Sequence, residues 1–212
     1  MTAANLALGR VAPAGTSPDQ NSHDAILDAV VQLIETKGYD AVQLRDIASE
    51  AHVSLSTIYK RYGTRDELMV AAIARWMDDN RYAGLKFTQR DEPVFDGLMR
   101  VYRTIFEPWE RHPRMLHAYH RARSNPGADQ LVAQGRSAVE PISHAILGDA
   151  DPEWMADVGL ILWNMVYALM GRFTDGEIAI TEILPTLERT LFRLTDGCGQ
   201  PPRAVPKRQT KS

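Results

Sequence analysis

The sequence predicts an all-α protein, and three observations carry that expectation. Apolar residues recur at helical spacing, as in Ile26, Val30, Leu33 and Ile34, which fall on one face of a single helix. No stretch shows the strict alternation of a half-buried strand. Proline and glycine punctuate the periodic segments where helices start and stop.

In chain order, Ser22 is placed to cap a first helix and Gly38 to end it in a left-handed conformation. Leu44, Ile47, Ala48 and Ala51 form the apolar side of a short second helix over 44–51, and His52-Val53-Ser54 is a turn. A third helix covers 55–62 and stops at Gly63. Thr64-Arg65-Asp66-Glu67 has the form of a capping box opening a long fourth helix toward Asn80. Further helices are expected over 94–111, 113–123, 128–147, 152–174 and 177–195. Pro113 and Pro152 suit first-turn positions. Pro108, Pro141 and Pro185 fall inside three of these segments, where each would kink or split its helix. The ends have little periodicity. The expected organisation is a flexible arm over 1–21, a three-helix unit over 22–66, a larger helical domain over 67–196 and a disordered basic tail over 197–212.

Of the 212 residues, 44% are hydrophobic and 24% charged, enough for a core that needs neither disulfide nor metal. The single cysteine, Cys198, excludes an intramolecular disulfide framework and fits a reducing compartment. Met1 to Asn21 has no charged segment followed by an apolar run, so no secretory signal is expected. The longest apolar stretch, Val158 to Met170, is interrupted by Gly159 and Asn164 and is shorter than the ~18 residues of a membrane span. The expectation is a cytoplasmic protein without a membrane partner. The net charge is −3; the tail holds four basic residues and no acid, which leaves −7 on the body between the two ends. Any nucleic-acid surface must then be a local basic patch on an acidic body.

Residues 38–67 are the most informative. They read as short helix, three-residue turn, short helix, with small Ala48 and Ala51 permitting close packing and Val53 and Ile58 able to bury against Ile47. The exposed positions of the later helix carry Ser54, Ser56, Thr57, Tyr59, Lys60 and Arg61, groups suited to phosphates and base edges. An ordinary helical hairpin with a polar outer face has the same pattern.

This segment resembles the N-terminal helix-turn-helix of the tetracycline-repressor (TetR) family of bacterial transcription regulators. Gly38-Tyr39, Val42, Leu44, Ile47-Ala48, Ala51, Val53-Ser54, Thr57-Ile58-Tyr59, Tyr62 and Leu68 match its pattern, over about a quarter of the chain. Gln43 stands where Ser or Thr is usual, His52 and Ser56 where glycine is usual, Tyr62 for Phe and Arg65 for Lys. The resemblance implies that Gln43, Arg45, Tyr59, Lys60 and Arg65 contact backbone phosphate. Arg45 could also reach a base, and Ser54, Leu55, Ser56 and Thr57 approach base edges. It implies double-stranded operator DNA as partner, an all-α fold with a C-terminal ligand-binding and dimerisation domain, and a homodimer formed through the last two helices.

Residues 158–170 are hydrophobic nearly all round, and Ile180, Ile183, Leu184, Leu187, Leu191 and Leu194 follow a near-heptad stripe. Leu162, Val166, Ile183, Leu184, Leu187 and Leu191 are the expected dimer contacts. Met99, Tyr102, Phe106, Trp109, Met115, Tyr119, Trp163, Tyr167 and Met170 are large adaptable groups suited either to core or to an apolar effector pocket. His117 and Asn164, with Tyr102 and Tyr119, could orient such an effector. The expected function is a ligand-responsive regulator, a repressor released from a palindromic operator by a mostly apolar small molecule. No cofactor or catalytic residue is expected. Two other readings stay open. One is a helical lipid or small-molecule carrier. The other is a metalloenzyme built on His112, His117 and His120 near Glu110, for which no H-E-x-x-H or C-x-x-C pattern is present.

Overall fold

The computed structural model describes residues 18–85, 92–125, 127–148 and 150–195. Among them the chain forms α1 (Pro18–Lys37), α2 (Leu44–Glu50), α3 (Leu55–Arg61), α4 (Arg65–Met77), α5 (Val94–Arg111), α6 (Pro113–Ala122), α7 (Asp129–Leu147), α8 (Pro152–Thr174) and α9 (Ile183–Thr195). Short 3-10 turns lie at Tyr39–Ala41 and Ile180–Glu182, and a π-helical turn, Asp78–Tyr82, extends α4. The protein is all-α.

Local chemistry explains the boundaries. Gly38 ends α1 at φ 83°, with its N–H on the Ile34 carbonyl. Thr64 caps α4 by accepting from the Glu67 N–H, while the Glu67 carboxylate reaches back one residue further than a strict box, to the Gly63 N–H at 2.9 Å. Asp151 caps α8 by accepting from the Trp154 N–H, with Pro152 in the first turn.

Two expected boundaries move. α1 begins at Pro18 and not at Ser22, so residues 18–21 belong to the helix and not to the arm. The last helix starts at Ile183 and not at residue 177, which places Pro185 in its first turn, where proline costs least. Pro108 and Pro141 do lie inside α5 and α7. The rest of the expected arm and the expected tail, with Cys198, lie outside the described residues. α8 as a whole is long and apolar enough, by length and composition, to cross a membrane, although its apolar middle alone is not.

α1, α2 and α3 pack into a small N-terminal unit, and α4 carries the chain from it into the larger bundle, touching α1, α6 and α7. One core runs through both parts: Ile26, Val30, Ile34, Ile47 and Ile58 are continuous with Leu68, Ile73 and Met77 of α4 and with Phe106, Trp109, Leu116 and Met170 beyond. Each such side chain contributes about 1.5–3 kcal/mol of burial. A smaller cluster of Leu98, Met99, Val158, Leu162 and Leu191 closes the far end of the bundle.

Candidate nucleic-acid interface and interior cavity

The α2–turn–α3 unit is held from beneath. Ile47 and Ile58 are fully buried against α1, and the Val53 N–H donates to the Ala48 carbonyl to close the turn. His52 takes the left-handed conformation, φ 53°, at the position where glycine is usual. Ser54 caps α3: its Oγ accepts from the Thr57 N–H at 3.1 Å and lies 2.7 Å from Ser56 Oγ and 2.8 Å from Thr57 Oγ1. Gln43 is the N-cap of α2, but its side chain makes no capping hydrogen bond.

With its scaffold fixed from behind, the outer side of α3 is turned to solvent. Tyr59 is 56% and Leu55 42% exposed, which is costly for an aromatic and a leucine unless a partner covers them. Ser54, Ser56 and Lys60 are exposed beside them, Thr57 is half-buried, and Gln43 and Arg45 are exposed at the start of α2. Hydroxyl, amide, aromatic and cationic groups are thus gathered on two adjoining short helices, a set that can hydrogen-bond phosphate and meet base edges.

Arg65, expected at backbone phosphate, is engaged within the protein. Its Nε donates to the Val42 carbonyl at 2.8 Å, its Nη2 to the Tyr39 carbonyl at 2.5 Å, and its Nη1 lies 3.3 Å from Asp66. The guanidinium also stacks 5.1 Å from the Tyr39 ring centroid. Carbonyls between α1 and α2 thus take up two of its nitrogens and tie the start of α4 to the approach to α2.

α6 makes a second connection to the N-terminal unit. Arg114 donates to the Glu35 and Thr36 carbonyls at the end of α1. His112 Nδ1 lies 3.2 Å from Glu35, and Arg121 pairs with Asp40 at 3.0 Å. Arg75 of α4 pairs with both Asp24 and Asp28 of α1.

The bundle holds two adjoining cavities. A cleft of about 610 Å³ opens among α5, α7 and α8, lined by Leu98, Tyr102, Leu147, Met155 and Trp163 among others. A smaller inner space of about 60 Å³ shares Tyr102, Val139 and Trp163 with it and ends on Arg81, Trp109 and Tyr119. Of the expected pocket residues, Tyr102, Trp109, Tyr119, Trp163, Tyr167 and Met170 line these spaces. Met99, Phe106 and Met115 are instead buried in core, and His117 packs 4.7 Å from the Phe173 ring. Asn164 is on the outer side of α8, its amide spent on the Leu160 carbonyl at 2.8 Å.

Arg81 gave no signal in the sequence, because an arginine between Asn80 and Tyr82 reads as surface. It is only 5% exposed. Its Nε donates to the Ile105 carbonyl, its Nη1 to the Tyr82 hydroxyl, and the guanidinium sits 3.3 Å from the Trp109 ring centroid.

The expected dimer contacts lie mostly inside the protomer. Ile183, Leu187 and Leu191 are buried in the protomer's own core, and Leu184 packs against it. Leu162 and Val166 face the cavities. A near-heptad stripe serves an intramolecular seam as readily as an intermolecular one. The outward apolar residues are Leu160, 63% exposed, Ile161 and, on α9, Phe192.

Each of the three clustered histidines has its own neighbour: His112 meets Glu35, His117 meets Phe173, and His120 meets Thr174. Among the described residues no three His, Cys, Asp or Glu side chains gather as metal ligands.

Comparison with known proteins follows the same division of the chain. Residues 26–72 match the model described as bacterial regulatory proteins, tetR family, and residues 92–194 match the tetracyclin repressor-like C-terminal domain. The chain is 35% identical over 180 residues to the HTH-type transcriptional repressor KstR of Rhodococcus jostii (strain RHA1), covering 83% of this chain and 84% of that protein. The HTH-type transcriptional regulator AlkX of Mycobacterium tuberculosis (strain ATCC 25618 / H37Rv) is 37% identical over 96 residues, 44% of each chain. In three dimensions, a TetR transcriptional regulator from Rhodococcus sp. RHA1 superposes with a TM-score of 0.64 at 19% identity, over 84% of this chain and 97% of that one.

Proposed function

The chain belongs to the TetR family of bacterial transcription regulators and is a ligand-responsive DNA-binding regulator; on that premise we propose that it is a repressor, binding a palindromic operator as a homodimer and released by a small molecule with a mostly apolar body. The observation that supports this most is the solvent-facing side of α3, where Leu55 and Tyr59 stand uncovered beside Ser56 and Lys60 on a rigidly capped helix. In this reading α3 enters a major groove, Leu55 and the small hydroxyls meet base edges, and Tyr59, Lys60, Gln43 and Arg45 hold phosphates. Two such helices in a dimer read two half-sites one DNA turn apart. The exposed apolar residues Leu160, Ile161 and Phe192 are the proposed dimer face.

Release follows from a population shift. The effector occupies the cleft among α5, α7 and α8 and favours a state in which α4 and α6 carry the N-terminal unit away from the operator spacing. It acts only through its differential affinity for the two states. The family is one of regulators and not of enzymes, and the cavity serves binding.

Fluorescence anisotropy against labelled DNA from the chain's own upstream region, beside scrambled DNA and across a salt series, tests the reading. Saturable, sequence-dependent binding with a steep salt slope is expected. A protein that a genome-wide binding selection shows to have no preferred sequence would overturn it.

A further inference from the structure

The inner cavity holds a charge that no carboxylate among the described residues compensates. Arg81 is 5% exposed, yet its ion pairs among the described residues include no carboxylate; its neighbours are a carbonyl, a hydroxyl and two aromatic rings. Burial pushes its guanidinium below the ordinary arginine value, but arginine remains cationic in proteins. An isolated buried cation is costly, and buried charges are normally paired. Nε and Nη1 are used, while Nη2 has no partner among the described residues. Beside it, Trp109 Nε1 is buried with no acceptor among the described residues. Burial also holds the Tyr102 and Tyr119 hydroxyls well above their ordinary value, so both stay protonated and able to donate. Among the described residues, the end of the cavity therefore presents several donors and no anion.

From this geometry we infer that the effector carries a carboxylate, seated against Arg81 Nη2 and Trp109 Nε1 in the inner cavity, with its apolar body running past Tyr102 and Trp163 into the outer cleft. Size selects the head group. A space of about 60 Å³ holds about four waters' worth of atoms, which suits a carboxylate and its adjoining carbon but excludes a nucleotide or sugar. The outer cleft, about 610 Å³ and mostly apolar in its lining, suits a drug-sized hydrocarbon body. The location also explains how a head group could be felt at the DNA. Arg81 lies in the π-helical turn that extends α4, and Arg65 at the other end of α4 grips the Tyr39 and Val42 carbonyls. A carboxylate drawn to Arg81 Nη2 bears directly on that helix. This inference rests on the cavity being the effector site.

The test pairs each acid with its own methyl ester, so that body and shape are constant and only the charge changes. Dodecanoate, 5-phenylpentanoate and cyclohexaneacetate, with their esters, are titrated calorimetrically into the full-length protein, and separately into the protein–operator complex. Wild-type protein is expected to prefer at least one acid over its ester by about tenfold or more, the scale of one charge-assisted hydrogen bond. Arg81→Met should bring that ratio to about one while leaving ester binding, Arg81→Lys should keep part of it, and Trp109→Phe should weaken it while keeping an aromatic ring against the guanidinium. Circular dichroism melts establish which variants fold; if Arg81→Met does not, the wild-type ratio and Trp109→Phe decide. Equal affinity for acids and esters, no binding by any acid, or an undiminished preference in folded Arg81→Met would overturn the inference. Acids that bind but leave the operator complex intact would uphold the carboxylate site and overturn the effector reading on which it was built.

Discussion

The side-chain amide of Asn125 donates a 2.6 Å hydrogen bond to the hydroxyl of Tyr39, and the carbonyl of the same tyrosine receives the Arg65 guanidinium. Tyr39 is thus held from two sides, by the segment that follows α6 and by the start of α4. It sits in the 3-10 turn that leads into the helix-turn-helix, a position from which movement in the bundle would reach the DNA-binding unit. Tyr39→Phe removes one of these ties. It is expected to cost about 1 kcal/mol in a urea melt and to leave operator affinity nearly unchanged, while reducing the loss of affinity caused by effector. A variant whose effector response equals wild type would show that the tie carries no coupling.

Arg65 and Lys60 separate positioning from phosphate binding. Arg65→Met leaves the Val42 and Tyr39 carbonyls without their donor and is expected to lower stability by about 1–3 kcal/mol. Its operator affinity should fall with no change in salt slope. Lys60→Ala should do the reverse, with a wild-type melt and a slope of log affinity against log salt smaller by about one. Identical salt slopes for wild type and Lys60→Ala would remove Lys60 from the interface.

His52 occupies left-handed backbone at φ 53°, where glycine is at no steric disadvantage. His52→Gly is expected to stabilise the protein by about 1 kcal/mol, visible as a higher urea midpoint at constant slope.

Acid should destabilise the fold through two histidines. Burial lowers His117 below its ordinary 6.5, and burial together with Arg123 lowers His120. The unfolded chain then binds more protons than the folded one between those depressed values and 6.5. Stability is fully present above that ordinary value and is lost as pH falls below it. Urea melts from neutral pH downward should show this fall, and His120→Gln should flatten part of it.

Ile161→Glu places a charge on the outward apolar side of α8 without touching the core. Sedimentation should then report a folded monomer with weakened operator binding. A dimer of wild-type affinity would place the interface elsewhere.

Helix limits were legible where punctuation was strong. Proline and a turn at each end set α5 and α8 to the residue, and the spacing of Ile47, Ala48, Val53 and Ile58 marked the helix-turn-helix. Direction was not legible. Ile183, Leu187 and Leu191 share one stripe, but only packing against α5 and α8 shows that the stripe faces inward. Arg65 and Arg81 look alike as isolated cations in sequence; one is taken up by backbone carbonyls and the other by a cavity, and both choices are made by residues distant in the chain.

Pairing through the uncovered Leu160 and Ile161, as proposed, would also set how the regulator responds to its own abundance. If the operator accepts only the paired form and the chains are mostly unpaired, occupied operator rises with the square of chain concentration. Halving synthesis then cuts occupancy by roughly fourfold. A threshold of this kind needs no cooperativity between operators, and it would be tuned by the hydrophobicity of one helix face.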